Sequence, residues 1–284
     1  MTKACALVLA IALIAQVTTA AAIQAPDTVA VRSGNLRLTA LLWRPDGRGP
    51  FPAVLFNHGS WPTNNPLVRP AREIFAQASV LGPVFARHGY VFLFLFRRGA
   101  GLSGDQGVST ADQLQRELEA HGGEARNRLR LRLLETDELS DALAGLAYLR
   151  ALPEVESRQI AIAGHSFGGA LTLLIAERDS SLAASVDFAG AAGGWESSPQ
   201  LRARLLSAVG ATTVPTFFIH AANDYSVAPG LALAAEMARL ARPHRIKIYP
   251  SFGTTTSDGH NVVDLGVATW EDDVFAFLSQ YIRR

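Results

Sequence analysis

Apolar residues along the chain fall into two alternating arrangements. Short, unbroken apolar runs bounded by turn residues predict buried strands, and longer segments with apolar residues three and four positions apart predict helices. The predicted strands cover residues 36–43, 51–56, 90–96, 159–163, 183–189, 215–220 and 245–250. The predicted helices cover residues 71–88, 137–152, 168–178, 199–209, 230–241 and 271–283. This alternation predicts an α/β fold with a doubly wound, mainly parallel sheet and helices on both faces.

One long stretch does not follow this alternation. Residues 110–132 are highly charged and are interrupted by the pair Gly122-Gly123. Such a segment is compatible with a solvated helix pair or with a small insert over the sheet. We predict that residues 102–135 form a lid or insert.

Residues 1–22 have the layout of a secretory signal. Lys3 supplies a positive charge, an apolar run extends from Ala4 to Val17, and small residues close the segment. The run is shorter than the roughly 20 apolar residues of a transmembrane helix, so a membrane anchor is the less favoured alternative. We expect an exported protein, periplasmic or secreted, with residues 23–284 forming a single domain and no membrane span after cleavage.

Composition narrows the function classes. Hydrophobic residues make up 49% of the 284 residues and charged residues 18%, which is typical of a globular protein. The formal net charge is +1 and the basic residues are scattered, so we expect no nucleic-acid partner. The single cysteine, Cys5, lies in the predicted signal. The mature chain therefore offers no thiol nucleophile, disulfide or thiolate metal site, and we expect no metal or cofactor.

A candidate nucleophile lies in the segment Gly164-His165-Ser166-Phe167-Gly168, which has the G-x-S-x-G form. It stands between a predicted strand and a predicted helix, where a sharp turn requires glycines on both sides of the serine. The N-terminus of the following helix favours negative charge on a reacting carbonyl. We predict Ser166 as the nucleophile. A glycine-rich turn with an incidental serine is the alternative.

This arrangement resembles the nucleophile elbow of the α/β-hydrolase fold, and the resemblance extends over residues 36–283. It implies a sheet of about eight strands, and an acid and a histidine that follow the serine in that order. Asp224, at the end of a predicted strand, is similar in position to the acid, with Asp187 and Asp258 as alternatives. His260, in the loop before the last helix, is similar in position to the base.

The resemblance also indicates an oxyanion hole. The segment His58-Gly59-Ser60-Trp61 follows a predicted strand and resembles the oxyanion loop of the family. It implies one backbone N–H donor from Phe167 and a second from Ser60 or Trp61, of which we favour Ser60. The alternative interpretation of His58 and Gly59 is a tight exit from the strand.

Four residues near predicted strand ends are candidates for a substrate pocket: Trp61, Arg97, Trp195 and Tyr225. Aromatic side chains in such positions favour an apolar acyl or alcohol pocket, although they are equally often part of the core. An arginine facing the pocket would bind an acidic substrate. For Arg97 and its neighbour Arg98 we slightly favour structural pairing at the end of the sheet.

Within the superfamily, the chain resembles dienelactone-hydrolase-like and prolyl-oligopeptidase-like serine esterases, through residues 57–60, residues 97–104 and the compact length. It differs from dienelactone hydrolase itself in carrying serine, not cysteine, at position 166. The resemblance implies a serine hydrolase that cleaves a small-molecule carboxylic ester, or a related acyl bond, through an acyl-enzyme. The alternatives are a peptidase, an acyltransferase or a cofactor-free perhydrolase with the same triad, and a non-catalytic binding protein.

Overall fold

The computed structural model describes residues 25–60 and 70–283, with the side chains of residues 70–73 left out. The predicted signal, residues 1–22, and the pocket candidate Trp61 lie outside the described residues. The strands are β1 Asp27–Ser33, β2 Leu36–Trp43, β3 Phe51–Asn57, β4 Val91–Leu95, β5 Val155–His165, β6 Ala184–Phe188, β7 Thr216–Ala221 and β8 His244–Tyr249.

The helices follow the same alternation. They are α1 Pro70–Arg87, α2 Thr110–Glu135, α3 Asp137–Arg150, α4 Phe167–Arg178, α5 Pro199–Ala211, α6 Ala228–Arg239, α7 Thr256–His260, α8 Val262–Leu265 and α9 Val267–Tyr281. A short 3-10 turn, Gly101–Ser103, follows β4.

The strands form one eight-stranded sheet in the order β1-β2-β4-β3-β5-β6-β7-β8. β1 pairs with β2, and β2 with β4, in antiparallel orientation, while the remaining neighbours are parallel. The predicted mainly parallel α/β sheet is confirmed. Because β3 and β5 lie side by side at its centre, their carboxyl ends bring residues after Asn57 next to residues after His165.

Two layers of apolar side chains cover the two faces of the sheet. Alternate residues of each strand point to opposite faces, so Leu55 packs in one layer and Val54 and Phe56 in the other. Helices α3 to α6 contribute to the first layer, and α1 and α9 to the second. The predicted helices on both faces are therefore confirmed.

The charged segment after the 3-10 turn folds mostly as α2, a helix of 26 residues. Ser109 caps its start by accepting a hydrogen bond from the backbone N–H of Asp112. Gly122, with φ 81° and ψ −177°, interrupts the helical backbone in the middle. A small apolar cluster of Leu114, Leu129 and Leu133 joins the two halves. None of the helices within the described ranges has the length and hydrophobicity needed to cross a membrane.

Candidate active site

Ser166 occupies a sharp turn between β5, which ends at His165, and α4, which begins at Phe167. Its backbone has φ 57° and ψ −114°, a region that residues with a Cβ rarely adopt. The Ser166 N–H donates to the Phe188 carbonyl at 2.9 Å, which ties the turn to β6. The turn therefore presents the Ser166 hydroxyl at the carboxyl edge of the sheet.

The two glycines of the motif are required by close backbone contacts. A Cβ on Gly164 would lie 2.2 Å from the carbonyl oxygen of Gly168. A Cβ on Gly168 would lie 2.0 Å from the carbonyl oxygen of Asn57. Since real Cβ atoms do not approach backbone this closely, larger residues at either position would force the turn to move.

His260 and Asp224 complete a hydrogen-bonded series with Ser166. The His260 Nε2 lies 2.9 Å from the Ser166 Oγ, and the His260 Nδ1 lies 2.7 Å from the Asp224 Oδ1. Asp224 stands just after β7 and His260 ends α7, so both reach the serine from later loops. The structure thus brings together the three side chains that the sequence singled out, in the geometry of a nucleophile, a base and an orienting acid.

Asp224 is held as an anion by the groups around it. Its Oδ2 accepts from the His220 Nδ1 at 2.7 Å, and its Oδ1 also accepts from the backbone N–H of Tyr225 at 2.7 Å. Burial alone raises the pKa of Asp224, but hydrogen bonds from His220 and His260 outweigh it and bring the pKa to about 2. The carboxylate is ionised at neutral pH and can stabilise a positively charged His260.

The two alternative acids have other surroundings. Asp258 caps α7, where its Oδ2 accepts from the backbone N–H groups of Thr254 and Thr255, each at 2.9 Å. Asp187 is 1% exposed, and no hydrogen bond of normal geometry reaches either of its carboxylate oxygens from the described residues. Burial raises the pKa of Asp187 to about 7. Neither carboxylate is hydrogen-bonded to His260.

Asn223 joins the acid and base loops. Its amide nitrogen donates to the Phe252 and Thr255 carbonyls, each at 2.8 Å, and its oxygen accepts from the Phe252 N–H at 2.8 Å. A Cβ on Gly259 would lie 2.4 Å from the Asn223 Oδ1, so the two loops meet at a glycine. Residues adjacent to Asp224 and His260 therefore fix the distance between these two side chains.

The His165 side chain contacts the backbone of His260. Its Nε2 lies 2.9 Å from the His260 carbonyl oxygen. Burial, together with the nearby His260, lowers the pKa of His165 to about 3. The ring is therefore neutral, and the nitrogen that faces the carbonyl carries the proton and donates it.

The loop after β3 is held by Arg97. The Arg97 Nη2 donates to the His58 carbonyl at 2.7 Å, and the Arg97 backbone N–H donates to the His58 Nε2 at 3.2 Å. Its guanidinium also forms a buried ion pair with Glu138 of α3. Arg97 is only 2% exposed and does not line the pocket beside Ser166. It anchors the loop after β3, in line with the structural pairing that the sequence favoured for this residue, and does not line this pocket.

Phe167 and Ser60, the two predicted backbone N–H donors, both lie next to Ser166. Phe167 is the first residue of α4, where the N–H groups lack partners within the helix. Ser60 follows Gly59, whose hypothetical Cβ would lie 3.4 Å from the Ser166 Cβ. Ser60 and Phe167 both line the pocket that contains Ser166. These positions suit an oxyanion hole.

Ser166 opens into a pocket of about 680 Å³. Much of its wall is apolar, and the larger apolar side chains are Leu134, Phe167, Leu201 and Leu265. Tyr225, a sequence-predicted pocket residue, lines it with its ring centroid 4.5 Å from that of His260. Trp195 is 5% exposed, belongs to the core layer that contains Leu55, and does not line the pocket.

Charged side chains of α2 and α8 line the pocket. Arg126 and Arg130 line it, together with Asp264 from α8. The sequence did not single out Arg126 and Arg130, because they lie in the charged stretch whose register it left open. Within the described ranges, histidine and acidic side chains form no group of three placed to bind a metal ion.

Comparison with known proteins identifies a family to which the sequence is similar. Residues 38–281 match the model of the dienelactone hydrolase family. Among proteins of curated function, no sequence matches the chain at a significant level.

Solved structures share the fold at low sequence identity. A Klebsiella pneumoniae protein assigned as a dienelactone hydrolase superposes with a TM-score of 0.61 at 18% identity, covering 90% of this chain and 98% of that one. Dienelactone hydrolase from Anabaena variabilis superposes with a TM-score of 0.56 at 19% identity, covering 92% of this chain and 100% of that one. Acylaminoacyl peptidase from Pyrococcus horikoshii superposes with a TM-score of 0.63 at 15% identity, covering 91% of this chain but only 42% of the peptidase.

Proposed function

The chain belongs to the dienelactone hydrolase family, and on that premise we propose that it is a serine hydrolase that cleaves a carboxylic ester through an acyl-enzyme on Ser166. The observation that carries this proposal is the hydrogen-bonded series from the Ser166 Oγ through His260 to Asp224. The series opens into a pocket large enough for a small-molecule ester.

The first half of the reaction forms the acyl-enzyme. His260 accepts the proton of the Ser166 hydroxyl through Nε2 as the Oγ attacks the ester carbonyl. The negative charge that develops on the carbonyl oxygen is stabilised by the N–H groups of Phe167 and Ser60. When the tetrahedral intermediate collapses, the proton on His260 passes to the leaving alcohol, and the acyl group remains on Ser166.

The second half returns the free enzyme. His260 takes a proton from a water molecule, which attacks the acyl carbon, and then gives this proton back to the Ser166 Oγ as the acid is released. Asp224 keeps the proton of the neutral imidazole on Nδ1, so that Nε2 is the basic nitrogen in both steps. Its negative charge also stabilises the imidazolium that forms in each transition state.

The N-terminal sequence supports a proposal about where the enzyme acts. We propose that residues 1–22 direct export and are then removed, which would place the enzyme in the periplasm or outside the cell. The N-terminus of the protein recovered from a periplasmic extract, read by mass spectrometry, tests this. A start between residues 20 and 24 supports the proposal, and an intact Met1 in the cytoplasmic fraction contradicts it.

Hydrolysis of p-nitrophenyl esters of increasing acyl length by the wild type and Ser166→Ala tests the catalytic proposal. We expect the wild type to hydrolyse at least the short esters and the variant to lose about a thousandfold or more in kcat. Equal melting temperatures of the two proteins would show that the variant is folded. Equal activity of the two proteins would overturn the assignment of Ser166.

A further inference from the structure

Tyr225 exposes a large aromatic ring beside the catalytic base. It is 51% exposed and lines the pocket, and its ring centroid lies 4.5 Å from that of the His260 imidazole. Its backbone N–H donates to Asp224, but its hydroxyl forms no hydrogen bond with another described residue. The contact with Asp224 thus depends on the backbone of Tyr225 and does not explain its exposed aromatic side chain.

Open space lies next to this ring. Gly193, in the loop after β6, lines the same pocket, and among the described residues a Cβ there would meet nothing closer than the Tyr225 ring at 4.0 Å. Leu265, which follows His260 in α8, also lines the pocket and is 58% exposed. Large apolar side chains exposed at the mouth of a pocket are typical of a surface that binds a ligand.

A different part of the pocket wall is buried. Leu134 of α2, Ala170 of α4 and Leu201 of α5 line it, and each is at most 2% exposed. All three belong to the core layer that contains Leu55. The pocket therefore has a buried apolar part and an exposed part next to His260.

The chemistry of the reaction determines which part of an ester lies next to Tyr225. When the bond between the acyl carbon and the alcohol oxygen breaks, that oxygen takes the proton from the His260 Nε2. The alcohol group must therefore lie within reach of the imidazole, where the Tyr225 ring is its neighbour. The acyl group stays on Ser166, and the buried part of the wall is left for it.

Resting on the proposed function, we propose that Tyr225 binds the alcohol part of the ester and that this part carries an aromatic ring. Aromatic rings attract one another in offset-stacked or edge-to-face arrangements, beyond the area that they bury. The exposed ring of Tyr225 offers such a surface, and the space beside Gly193 leaves room for a second ring. The substrate class is therefore an ester of a phenol or of an aryl-substituted alcohol.

Benzyl acetate and cyclohexylmethyl acetate test this inference, because their alcohols are alike in size and acidity and differ in aromaticity. We expect the wild type to prefer benzyl acetate about 2- to 10-fold in kcat/KM, the effect of one aromatic pair. Tyr225→Leu keeps an apolar side chain without the ring, so the ratio should fall to about 1 or lower. Tyr225→Phe keeps the ring and should retain the ratio. A general effect of either variant on His260 cancels in this ratio.

Two controls separate binding from a structural role. Leu231 of α6 is also 51% exposed but does not line the pocket, so Leu231→Ala should keep the wild-type ratio. The second control is the rate constant of deacylation, measured by pre-steady-state hydrolysis of p-nitrophenyl acetate. Because the alcohol has already left at this stage, Tyr225→Leu should deacylate within about twofold of the wild type.

Four results would overturn the inference. The first is a wild type without preference for benzyl acetate, and the second is an unchanged preference in Tyr225→Leu. The third is a preference lost equally in Leu231→Ala, and the fourth is slower deacylation in Tyr225→Leu with an unchanged ratio. Failure of the proposed function is distinguishable, because in that case Ser166→Ala would hydrolyse benzyl acetate as fast as the wild type.

Discussion

Two buried carboxyl groups on neighbouring strands differ in what surrounds them. Asp187 of β6 and Asp224 after β7 are 1% and 7% exposed, respectively. Asp224 accepts hydrogen bonds from two imidazoles and a backbone N–H, and its pKa is about 2. Asp187 accepts no hydrogen bond of normal geometry from the described residues, and its pKa is about 7. The difference shows that donors, and not burial, make a carboxyl group fit to serve as a catalytic anion.

The largest effect on activity is expected when Asp224 is neutralised. Asp224→Asn keeps the shape of the side chain but removes the charge that stabilises the imidazolium and fixes its tautomer. We expect kcat to fall by about 10⁴-fold on any ester that the wild type hydrolyses, measured at pH 7 to 8. Asp187→Asn is the matched control and should remain within about threefold of the wild type. Equal losses in both variants would contradict the assignment of the acid.

Asp187 should instead make the free energy of unfolding depend on pH. Its pKa is about 7 in the folded protein and about 4 in an unfolded chain, so between these values the folded state binds more protons. The free energy of unfolding should therefore fall as the pH rises from about 4 to about 7, by at most about 4 kcal/mol.

Asp187→Asn removes this titration. Urea unfolding should show that the variant gains stability relative to the wild type as the pH is raised from 5 to 8. An equal difference between the two proteins at both pH values would show that Asp187 does not titrate in this range.

His220 is the donor that most clearly distinguishes the two carboxyl groups. His220→Phe fills the same buried space but removes the hydrogen bond to the Asp224 Oδ2, so the Asp224 pKa should rise and its carboxylate should lose orientation. We expect kcat/KM to fall about 10- to 100-fold, the effect of losing one hydrogen bond to a charged group. Measured as a pH profile from pH 4 to 9, the loss should be greatest at low pH. A uniform loss at every pH, with a lower melting temperature, would indicate a purely structural role.

The smallest effect is expected for Asp258, the exposed acid next to the base. Asp258→Asn weakens the cap of α7 and should lower the melting temperature by a few degrees at most, while activity stays within about twofold of the wild type. Thermal unfolding and ester hydrolysis on the same preparation measure both. A loss comparable to that of Asp224→Asn would show that Asp258 takes part in catalysis.

Local patterns were enough to predict the fold. The apolar run from Leu36 to Trp43 coincides with β2, and the other predicted strands differ from the observed ones by a few residues. β5 begins earlier than predicted, at Val155, because residues 156–159 are polar and only Val155 of this part pairs with β3, opposite Phe51 at the start of that strand. α7 and α8 were not predicted, since helices of five and four residues are too short to show a periodic pattern.

The site could be predicted only where a residue is marked by its immediate neighbours or by its place in the order of strands and helices. The glycines around Ser166 mark the elbow, and the order of later strands suggested Asp224 and His260. The choice among three acids depends on donors from distant residues, such as His260, which lies 36 positions from Asp224. The ion pair that withdraws Arg97 from the pocket joins residues 41 positions apart, and no pattern along the chain reveals it.

Covalent labelling with an active-site reagent shows directly whether Ser166 is the nucleophile. The wild type and Ser166→Ala are incubated with a fluorophosphonate, and the modified peptide is identified by mass spectrometry. We expect one phosphonyl adduct per chain, located on Ser166, and a parallel loss of ester hydrolysis, with no adduct in the variant. An adduct on another residue, or full hydrolytic activity after complete labelling of Ser166, would contradict this expectation.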